Sequence, residues 1–382
     1  MTSPTRVLIT GASGFIGSHL AEVLRERGHE VRAMVRRSSR LDKLEQAAAG
    51  KPFELVYASL DQPASLLDAL RGVEVVHHVA GKTAAFDRRE FDQANVAGVA
   101  ALLAAIRTLR ERGEPAPRRF VHVSSLMAAG PSRPDHARRE HHRHQQGFTD
   151  YGDSKLAGER LVWVEAGRSD PGELELVIVR PPLVYGPRDE DVLQMIKSAS
   201  MRVIAQPGLR PTWMSAIHGR DLARGIALVG ERGQALPGAG DPRRLDHVLA
   251  DGGLGFGDAA SHDHPSGAGI YYLTDGQRTT AAEFGQVTAR LLGRSALTIP
   301  MPNLAVIGAG WINQSLGRLR GKVPALTLDK ARGSLSPGWW CDDERARVEL
   351  DWQPEFSLEL GLEDTLRWLI DAGHLQGELT AR

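Results

Sequence analysis

A tyrosine and a lysine four residues apart, Tyr151 and Lys155, form the pair in this sequence with the clearest chemical potential. On a helix, this spacing puts both side chains on one face. A phenol is too weak an acid to exchange protons readily near neutral pH, but a neighbouring ammonium favours the phenolate and lowers the pKa of the phenol. Tyr151 is therefore a candidate to give a proton to a carbonyl oxygen, or to remove one from an alcohol.

A serine hydroxyl precedes this pair at the end of an apolar run. The run ends in Val123-Ser124-Ser125 and predicts a strand of a parallel sheet. Because such sheets bind their ligands at the carboxyl ends of the strands, Ser125 is placed to hydrogen-bond the oxygen of a substrate. Ser125, Tyr151 and Lys155 are the predicted catalytic residues.

A glycine-rich turn near the start of the chain, Thr10–Gly17, lies directly between a predicted strand and a predicted helix. Gly11 permits a tight turn, Gly14 lets the backbone approach phosphates, and Gly17 lets the helix pack closely on the strand. The amides and the dipole of the helix N-terminus then face the negative charge of a pyrophosphate. This context predicts a dinucleotide site.

The end of the second predicted strand decides which dinucleotide is expected. NAD sites commonly place an acidic residue there, whereas NADP needs a cation for its 2′-phosphate. The sequence has Arg36, Arg37 and Ser38 at this place and no acid. Arg36 can pair a phosphate through two parallel hydrogen bonds and stack on adenine. NADP is therefore favoured and NAD is the alternative.

The elements that position these residues alternate between apolar runs and helical patterns, which predicts parallel βαβ units. The expected fold class is α/β, a Rossmann-type doubly wound parallel sheet with a smaller C-terminal α/β substrate-binding domain. We expect residues 1–185 to form the first domain and 186–382 mainly the second, with a segment near 214–230 returning to the first. The predicted strands are Arg6–Thr10, Glu30–Val35, Glu54–Tyr57, Val73–Val79, Arg119–Ser124 and Leu174–Arg180; the predicted helices in this half are Gly17–Arg27, Ser65–Arg71, Phe91–Arg112 and Tyr151–Glu165.

Composition narrows the class of protein. The 382 residues include 47 basic and 47 acidic ones, so the chain has no excess of positive charge that would favour binding to nucleic acid. The single cysteine, Cys341, excludes an intrachain disulfide and fits a reducing compartment. The start of the chain lacks the pattern of a signal peptide. We expect a cytoplasmic enzyme.

Two stretches call for a structural interpretation. The apolar run at 304–312 is too short to span a bilayer, so no stable membrane insertion is expected; it predicts a core or substrate-pocket helix, with membrane-surface contact as the alternative. Residues 132–148 carry four histidines without a metal-ligand pattern and predict a solvated loop over the site, with no metal. Residues 231–269 show little periodicity and predict a long loop or insertion.

Further segments carry a resemblance to a known family. Together with the glycine turn and the Ser-Tyr-Lys residues, the chain resembles the extended short-chain dehydrogenase/reductases, the superfamily that includes UDP-galactose epimerase, dihydroflavonol reductase and 3β-hydroxysteroid dehydrogenase. The resemblance reaches to about Leu369, and Ser124–Pro131 is most similar to the last two. The further matching segments are His78–Gly81, Asn95–Gly98, Arg180–Pro187, His218–Ala223 and Tyr271–Gly276.

The resemblance implies roles for particular residues. Asn95 would order the active-site helix, and Lys155 would also bind the nicotinamide ribose. Ser59 and Leu60 stand where the family often has Asp-Leu, so Ser59 would bond the adenine. The dinucleotide-binding residues expected in this way are Gly11, Ser13, Gly14, Phe15, Ile16, Gly17, Arg36, Arg37, Ser59, Leu60, Ala80, Gly81, Lys82, Asn95, Tyr151, Lys155, Pro181 and Val184.

Several reactions belong to this superfamily. Leu126-Met127-Ala128 follow Ser125 where sugar dehydratases carry an acidic pair, so elimination is not expected. We expect NADP-dependent reduction of a ketone, or oxidation of the matching secondary alcohol, on a hydrophobic small molecule. The alternatives are a nucleotide-sugar epimerase with tightly bound NAD, whose diphosphate Arg210, Arg220 and Arg278 would clamp, a non-catalytic dinucleotide-binding protein, and a structural interaction protein without cofactor. The resemblance also implies a homodimer.

Overall fold

A parallel sheet is the centre of the computed structural model, which describes residues 4–142, 144–170, 172–239, 267–376 and 378–379. In these residues the sheet has seven strands in the order β3-β2-β1-β4-β5-β6-β10. The order reverses between β1 and β4, which opens a crevice at the carboxyl ends of these strands. The strands are β1 (Arg6–Thr10), β2 (Glu30–Val35), β3 (Glu54–Tyr57), β4 (Val75–His78), β5 (Arg119–Val123), β6 (Glu175–Arg180) and β10 (Ile270–Tyr272).

The central strands are mostly apolar and buried because both faces of the sheet are covered there, whereas the edge strand β3 is largely exposed. Val7 and Ile9 of β1 pack into one core, and Leu8 packs into the core on the opposite face. This alternation across the pleat explains why the strands are near-continuous apolar runs. The predictions for β1, β2 and β3 are confirmed to the residue.

Helices cover the sheet on both faces. Buried residues of α1, α2 and α8 belong to one core, and those of α3, α5 and α6 belong to the other. The predicted Rossmann-type α/β class is therefore confirmed. The first eight helices along the described chain are α1 (Phe15–Glu26), α2 (Asp42–Ala48), α3 (Pro63–Leu70), α4 (Arg88–Asn95), α5 (Ala97–Glu111), α6 (Asp150–Arg168), α7 (Leu193–Ser200) and α8 (Gly219–Arg232).

The prediction of one helix from Phe91 to Arg112 is wrong. Two helices, α4 and α5, meet at Val96, whose φ of −113° and ψ of −58° depart from helical geometry. The break lies directly after Asn95, whose buried side chain is bonded to Lys82 and Ser154. Alanine-rich periodicity predicted the helical content, but it could not show where this tertiary contact bends the chain.

Smaller sheets are built from the rest of the chain. The strands β11, β9 and β13 pair in that order, and β7 adds to β9; β8 and β12 form a separate parallel pair. The division into domains at residue 185 stays a prediction, and the chain returns to the main sheet through α8 and β10. These elements are β7 (Leu183–Tyr185), β8 (Val203–Pro207), β9 (Trp213–His218), β11 (Arg278–Thr280), β12 (Leu297–Met301), β13 (Gly338–Trp339), α9 (Ala281–Leu291), α10 (Asn303–Leu319), α11 (Leu328–Ser334), α12 (Glu344–Leu350) and α13 (Leu358–Asp371).

The apolar run at 304–312 is not a core helix. It lies in α10, where Leu304, Trp311 and Ile312 are exposed and Val306 and Gly310 are buried. In the part of the chain that the structure describes, no helix combines the length and the apolar character needed to cross a bilayer.

The prediction of a solvated loop at 132–148 is confirmed only in part: residues 133–136, 139, 141, 145, 147 and 148 are exposed, but others are buried in the protein. Arg138 is buried and donates to the carbonyl oxygen of Ala129 at 2.6 Å, and the buried Glu140 accepts from the backbone N–H of Tyr272. His144 packs on the ring of Trp163 and bonds Arg180. The described residues contain no group of three or more metal-ligating side chains. Most of the predicted insertion at 231–269 lies outside the described residues.

Candidate active site

Ser125 leaves the end of β5 in an extended conformation, with φ of −160° and ψ of 151°. It caps a short 3₁₀ turn, Leu126–Ala129, by accepting a hydrogen bond from the backbone N–H of Met127 at 3.2 Å. The N–H of Leu126 donates to the carbonyl oxygen of Pro181 at 2.9 Å, which ties this turn to the exit of β6. The hydroxyl of Ser125 is therefore held at the carboxyl edge of the sheet.

Tyr151 and Lys155 lie on the first turns of α6, as their spacing predicts. Thr149 caps this helix by accepting from the N–H of Gly152 at 3.0 Å. The carboxylate of Asp329 accepts from the N–H of Asp150 at 2.6 Å and from that of Tyr151 at 3.2 Å. A side chain from α11 thus adds a second cap, since carboxylates at a helix N-terminus satisfy free amides and the helix dipole.

The phenol of Tyr151 meets the Ser125 hydroxyl. Burial raises the pKa of Tyr151 to about 12, the hydrogen bond with Ser125 lowers it in part, and the charge of Asp191 raises it further. The predicted lowering of this pKa by Lys155 is wrong for this structure, because the Lys155 ammonium donates to the carbonyl oxygen of Val123 at 2.8 Å. Near neutral pH the phenol therefore carries its proton and can act as an acid.

Lys155 is buried under the edge of the sheet. Burial lowers the pKa of its ammonium to about 8, against a raising effect of Glu159. The pKa values of His78 and His122 are lowered by the burial of the two imidazoles and by the charge of the nearby Lys155. Both imidazoles are therefore neutral near pH 7. Glu159 is fixed in turn by the fully buried Arg180 of β6, whose Nε donates to it at 2.9 Å. The lysine is thus held in one place by elements of the sheet.

Asn95 joins α6 to the loop after β4. Its Oδ1 accepts from the N–H of Lys82 at 2.9 Å, and its Nδ2 donates to the carbonyl oxygen of Lys82 and to the hydroxyl of Ser154. A Cβ on Gly81 would lie 2.9 Å from Asn95 Oδ1 and 3.6 Å from Lys155 Nζ. The predicted residues Gly81, Lys82, Asn95 and Lys155 therefore lie together.

The glycine turn provides the space that a pyrophosphate needs. Gly11 has a φ of +71°, and a Cβ there would lie 2.8 Å from the backbone of Ala80. A Cβ on Gly17 would lie 2.1 Å from the carbonyl oxygen of Gly11. Gly14 is exposed and starts α1 without a side-chain cap, so the first amides of this helix stay available to an anion. These features fit a bound dinucleotide.

The side chains around the glycine turn make different contacts with the rest of the protein. Ile16 packs on the core, and the ring of Phe15 packs on His19 at a centroid distance of 5.4 Å. Ser13, Phe15 and Ile16 are all partly exposed. Thr10 bonds His78 at 2.7 Å and links the ends of β1 and β4.

The far end of the crevice is open. Arg36 and Arg37 are exposed after β2, and the guanidinium of Arg37 lies 5.2 Å from the ring centroid of Tyr57. Ser59 is partly buried at the end of β3, and its N–H donates to Ser65 at 3.1 Å. Leu60 packs on α5, where a Cβ at position 98 would lie 2.8 Å from it, so its side chain belongs to the core.

Two predicted residues lie beyond β6. Pro181 is buried and accepts the hydrogen bond from Leu126 described above. Val184 is partly buried in β7, opposite Ile217, and packs against the core. Pro181 therefore lies next to the turn that begins after Ser125, and a contact of Pro181 or Val184 with the cofactor stays a prediction.

Sequence reasoning missed the groups that approach from the second half of the chain. Asp329 binds the start of α6, Gln314 of α10 donates to the carbonyl oxygen of Phe86 at 3.0 Å, and Thr83 donates to Asp191 at 3.2 Å. No local pattern relates these residues to Tyr151, since 178 positions separate Asp329 from it. A pocket beside Tyr151 has walls from both halves: Ala85, Phe86, Asp87, Phe91, Asp150, Gln314, Leu328, Asp329 and Arg332.

Known proteins resemble this chain over nearly its full length. The ketoreductase of Stigmatella aurantiaca named for 4-hydroxy-2-methyl-3-oxo-4-farnesyl-3,4-dihydroquinoline-1-oxide is 28% identical over 383 residues, with 99% of each chain covered. The ceramide reductase of Caulobacter vibrioides is 27% identical over 377 residues, with 98% of each chain covered. The crystal structure of gox2253 has a TM-score of 0.69 at 24% identity, covers 97% of this chain and 99% of its own, and shows the fold.

The family follows from a match that covers more than half of the chain. The family described as the NAD dependent epimerase/dehydratase family matches residues 7–240, which include the glycine turn, Ser125, Tyr151 and Lys155. The chain therefore belongs to this family of extended short-chain dehydrogenase/reductases and is an NAD(P)-dependent enzyme.

Proposed function

We propose that the protein reduces a ketone on a hydrophobic small molecule with NADPH, or oxidises the matching secondary alcohol. The observation that carries this proposal is the hydrogen bond between the Ser125 hydroxyl and the Tyr151 phenol, which holds the two groups side by side at the carboxyl edge of the sheet. A protonated phenol beside a fixed hydroxyl is suited to give a proton to a carbonyl oxygen.

In the proposed reaction the residues divide the work. Ser125 donates a hydrogen bond to the carbonyl oxygen of the substrate and Tyr151 gives it a proton, since the negative charge develops there. Lys155, buried behind them, would bind a ribose hydroxyl of the cofactor. A bound nicotinamide dinucleotide supplies the hydride.

The cofactor proposal depends on the end of β2. Arg36 and Arg37 are exposed there, and the strand is followed by no acidic side chain before Asp42. An Asp or Glu at this place would favour the ribose of NAD, whereas guanidinium groups favour the 2′-phosphate of NADP. Ser59 would contact the adenine, and the backbone of Gly11–Gly17 would hold the pyrophosphate.

The names of similar proteins support the substrate class. The pocket next to Tyr151 itself has a mixed lining: Phe86, Phe91 and Leu328 are apolar, whereas Asp87, Asp150, Gln314, Asp329 and Arg332 are polar groups that can orient a ligand. The ring of Phe91 lies 5.8 Å from that of Tyr151. Two of the similar proteins are named for a farnesyl-bearing compound and for ceramide, both of which carry long apolar chains.

A nucleotide-sugar epimerase is the alternative. Of the three arginines that could clamp its diphosphate, Arg220 is paired with Glu22 at 3.3 Å and Glu26 at 2.9 Å on α1. Arg278 lies 4.4 Å from the ring centroid of Trp213, whereas Arg210 is exposed and forms no ion pair or ring contact with the described residues. This arrangement favours the reductase over the epimerase.

The test begins with the nucleotide that co-purifies with the protein. A reductase should release its cofactor, so we expect an empty protein that binds NADPH more tightly than NADH and oxidises NADPH when apolar ketones are added. Tightly retained NAD, with turnover of a nucleotide sugar and none of ketones, would overturn the proposal. NADPH binding without turnover of any ketone or sugar would instead favour a non-catalytic dinucleotide-binding protein.

A further inference from the structure

Exposed apolar side chains are concentrated on one part of the molecule. Of the fifteen large hydrophobic side chains that are exposed within the described residues, ten lie at positions 201–209 and 297–319. Large contiguous apolar surfaces on a folded protein usually mark an interaction site, whereas single exposed residues do not. These two stretches therefore require an explanation.

The first part of this surface is the outer side of the β8–β12 pair. Val203 pairs with Leu297 and Ala205 pairs with Ile299, so these side chains share one side of the two-stranded sheet. Leu297 is 68% exposed, and the neighbouring Met201 and Leu209 are 71% and 72% exposed. The opposite side, with Ile204, is buried against α9.

The second part is the outer side of α10. Leu304 and Leu319 are 88% and 85% exposed, and Trp311, Ile312 and Leu316 are exposed between them. Their spacing of three to four residues places them along one side of the helix. The other side is buried on α11, where a Cβ at position 310 would lie 2.7 Å from the side chain of Ala331.

The two parts are continuous. The helix α10 begins two residues after β12, and the N–H of Gly208 donates to the carbonyl oxygen of Met301 at 2.9 Å. The N–H of Leu297 donates to the carbonyl oxygen of Arg202 at 2.9 Å. We call the outer sides of β8, β12 and α10 the apolar surface.

Positive charge accompanies the apolar surface. Residues 192–214 and 294–328 contain no Asp or Glu, although the whole chain has equal numbers of acidic and basic residues. Arg202, Arg210, Arg320 and Lys322 are exposed at its edges. The basic residues of the two segments are Lys197, Arg202, Arg210, Arg294, Arg318, Arg320 and Lys322.

We propose that the protein docks through the apolar surface on a membrane that contains anionic phospholipids. An apolar side with basic residues at its margin is the pattern of surfaces that lie in the lipid–water interface, where apolar side chains enter the acyl boundary and cations bind the phosphates. No part of the chain needs to cross the bilayer. This docking is independent of the reaction proposed above.

Charge also favours an anionic membrane over a second copy of the chain as the partner of the apolar surface. A two-fold symmetric dimer would place the same surface on both subunits, so that it would face its own cations. No acidic residue in the two segments could offset that repulsion. An anionic lipid surface supplies the opposite charge instead.

The same helix connects the apolar surface with the pocket. On its inner side, Gln314 lines the pocket and bonds Phe86, and Arg318 donates to the same carbonyl oxygen at 3.1 Å. Docking would therefore bring the wall of the pocket close to the bilayer. A hydrophobic substrate dissolved in the lipid could reach Tyr151 by a short path.

The test is sedimentation of the full-length protein with vesicles of phosphatidylcholine alone and with vesicles that also contain phosphatidylglycerol. We expect binding to the anionic vesicles that is at least about tenfold stronger, weakens with added salt and shifts tryptophan emission to shorter wavelength. Leu304→Ser/Ile312→Ser/Leu319→Ser and Arg320→Glu/Lys322→Glu should each reduce this binding by about tenfold or more.

Matched controls use residues that are also exposed but lie elsewhere. Val348→Ser/Leu360→Ser removes apolar groups from α12 and α13, and Lys51→Glu/Arg168→Glu reverses two charges away from α10. Both controls should bind vesicles like the wild type. Equal binding of all variants, or no binding to either vesicle, would overturn the proposal. Concentration-dependent dimers that the α10 variants abolish, with no vesicle binding, would assign the surface to a second copy.

Discussion

The two ends of the crevice are built differently. At the end with Tyr151, the residues proposed to act in the reaction have protein partners: Ser125 bonds the phenol, Lys155 bonds Val123, and Asn95 bonds Lys82 and Ser154. At the other end, the guanidinium groups of Arg36 and Arg37 are exposed to solvent.

The difference follows from what each end is proposed to do. Proton transfer requires groups that are already in place, because reorganisation during the reaction adds to the barrier. Phosphate binding by exposed cations requires only that charge be near, and the ligand can order the side chains when it arrives. Substitutions at the two ends should therefore separate turnover from cofactor choice.

The largest effect is expected for Tyr151→Phe. Removal of the phenolic hydroxyl takes away the proposed acid and leaves the ring against Phe91. Turnover of the best ketone substrate should fall by about 10³-fold, within the range that general acid catalysis contributes. The dissociation constant for NADPH, measured by fluorescence titration, should change less than about twofold, since the glycine turn is untouched.

The control for this variant is Tyr57→Phe, which removes the hydroxyl of an exposed tyrosine at the open end. It should retain full turnover. If Tyr151→Phe kept the rate of the wild type, the assignment of Tyr151 as the acid would be wrong, and so would the division between the two ends.

A second prediction concerns the free-energy cost of burying the charged ammonium of Lys155. Its pKa is about 8 in the folded protein and 10.5 without burial, so between these values the unfolded chain binds more protons than the folded one. The free energy of unfolding should therefore rise with pH from about 8 to 10.5, by up to about 3 kcal/mol from this residue. Denaturant titrations of the nucleotide-free wild type and of Lys155→Met would measure it.

The exposed end supplies the matched control. Arg36→Met also removes a cation, but its guanidinium is in solvent, so its pH profile should run parallel to that of the wild type. The free energy of unfolding of the wild type should rise relative to that of Lys155→Met as the pH increases from about 8 to 10.5. A constant difference across this range would show that the ammonium is not destabilised by burial.

The sequence predicted most reliably what local patterns determine. The bounds of β1, β2 and β3 follow from apolar runs that end at turns, and the glycine turn follows from steric need, as the close contact at Gly17 illustrates. These features depend on neighbours in the chain. They could therefore be derived before any tertiary contact was known.

The predictions that were wrong depend on contacts between distant segments. The pKa of Tyr151 is raised mainly by burial, which depends on the tertiary fold, and the Lys155 ammonium bonds the carbonyl oxygen of Val123. Arg138 is buried because its partner carbonyls lie at the end of the 3₁₀ turn. In α10 the apolar run predicted a helix, but it could not show whether the apolar side of that helix packs against the protein itself or against another partner.

The smallest effect is expected at the open end of the crevice, for Arg36→Asp. The substitution removes the cation proposed to bind the 2′-phosphate and introduces the acid that NAD sites use. Because an exposed charged contact contributes less than a buried one, NADPH affinity should fall by about tenfold and NADH affinity should rise, while turnover at saturating cofactor stays within about twofold. Lys51→Asp makes the same change of charge before the amino end of β3, on the side of the sheet away from the crevice, and should alter neither affinity. If Arg36→Asp left NADPH affinity unchanged, the preference for NADP would be wrong, and if it reduced turnover instead, the two ends of the crevice would be coupled rather than separate.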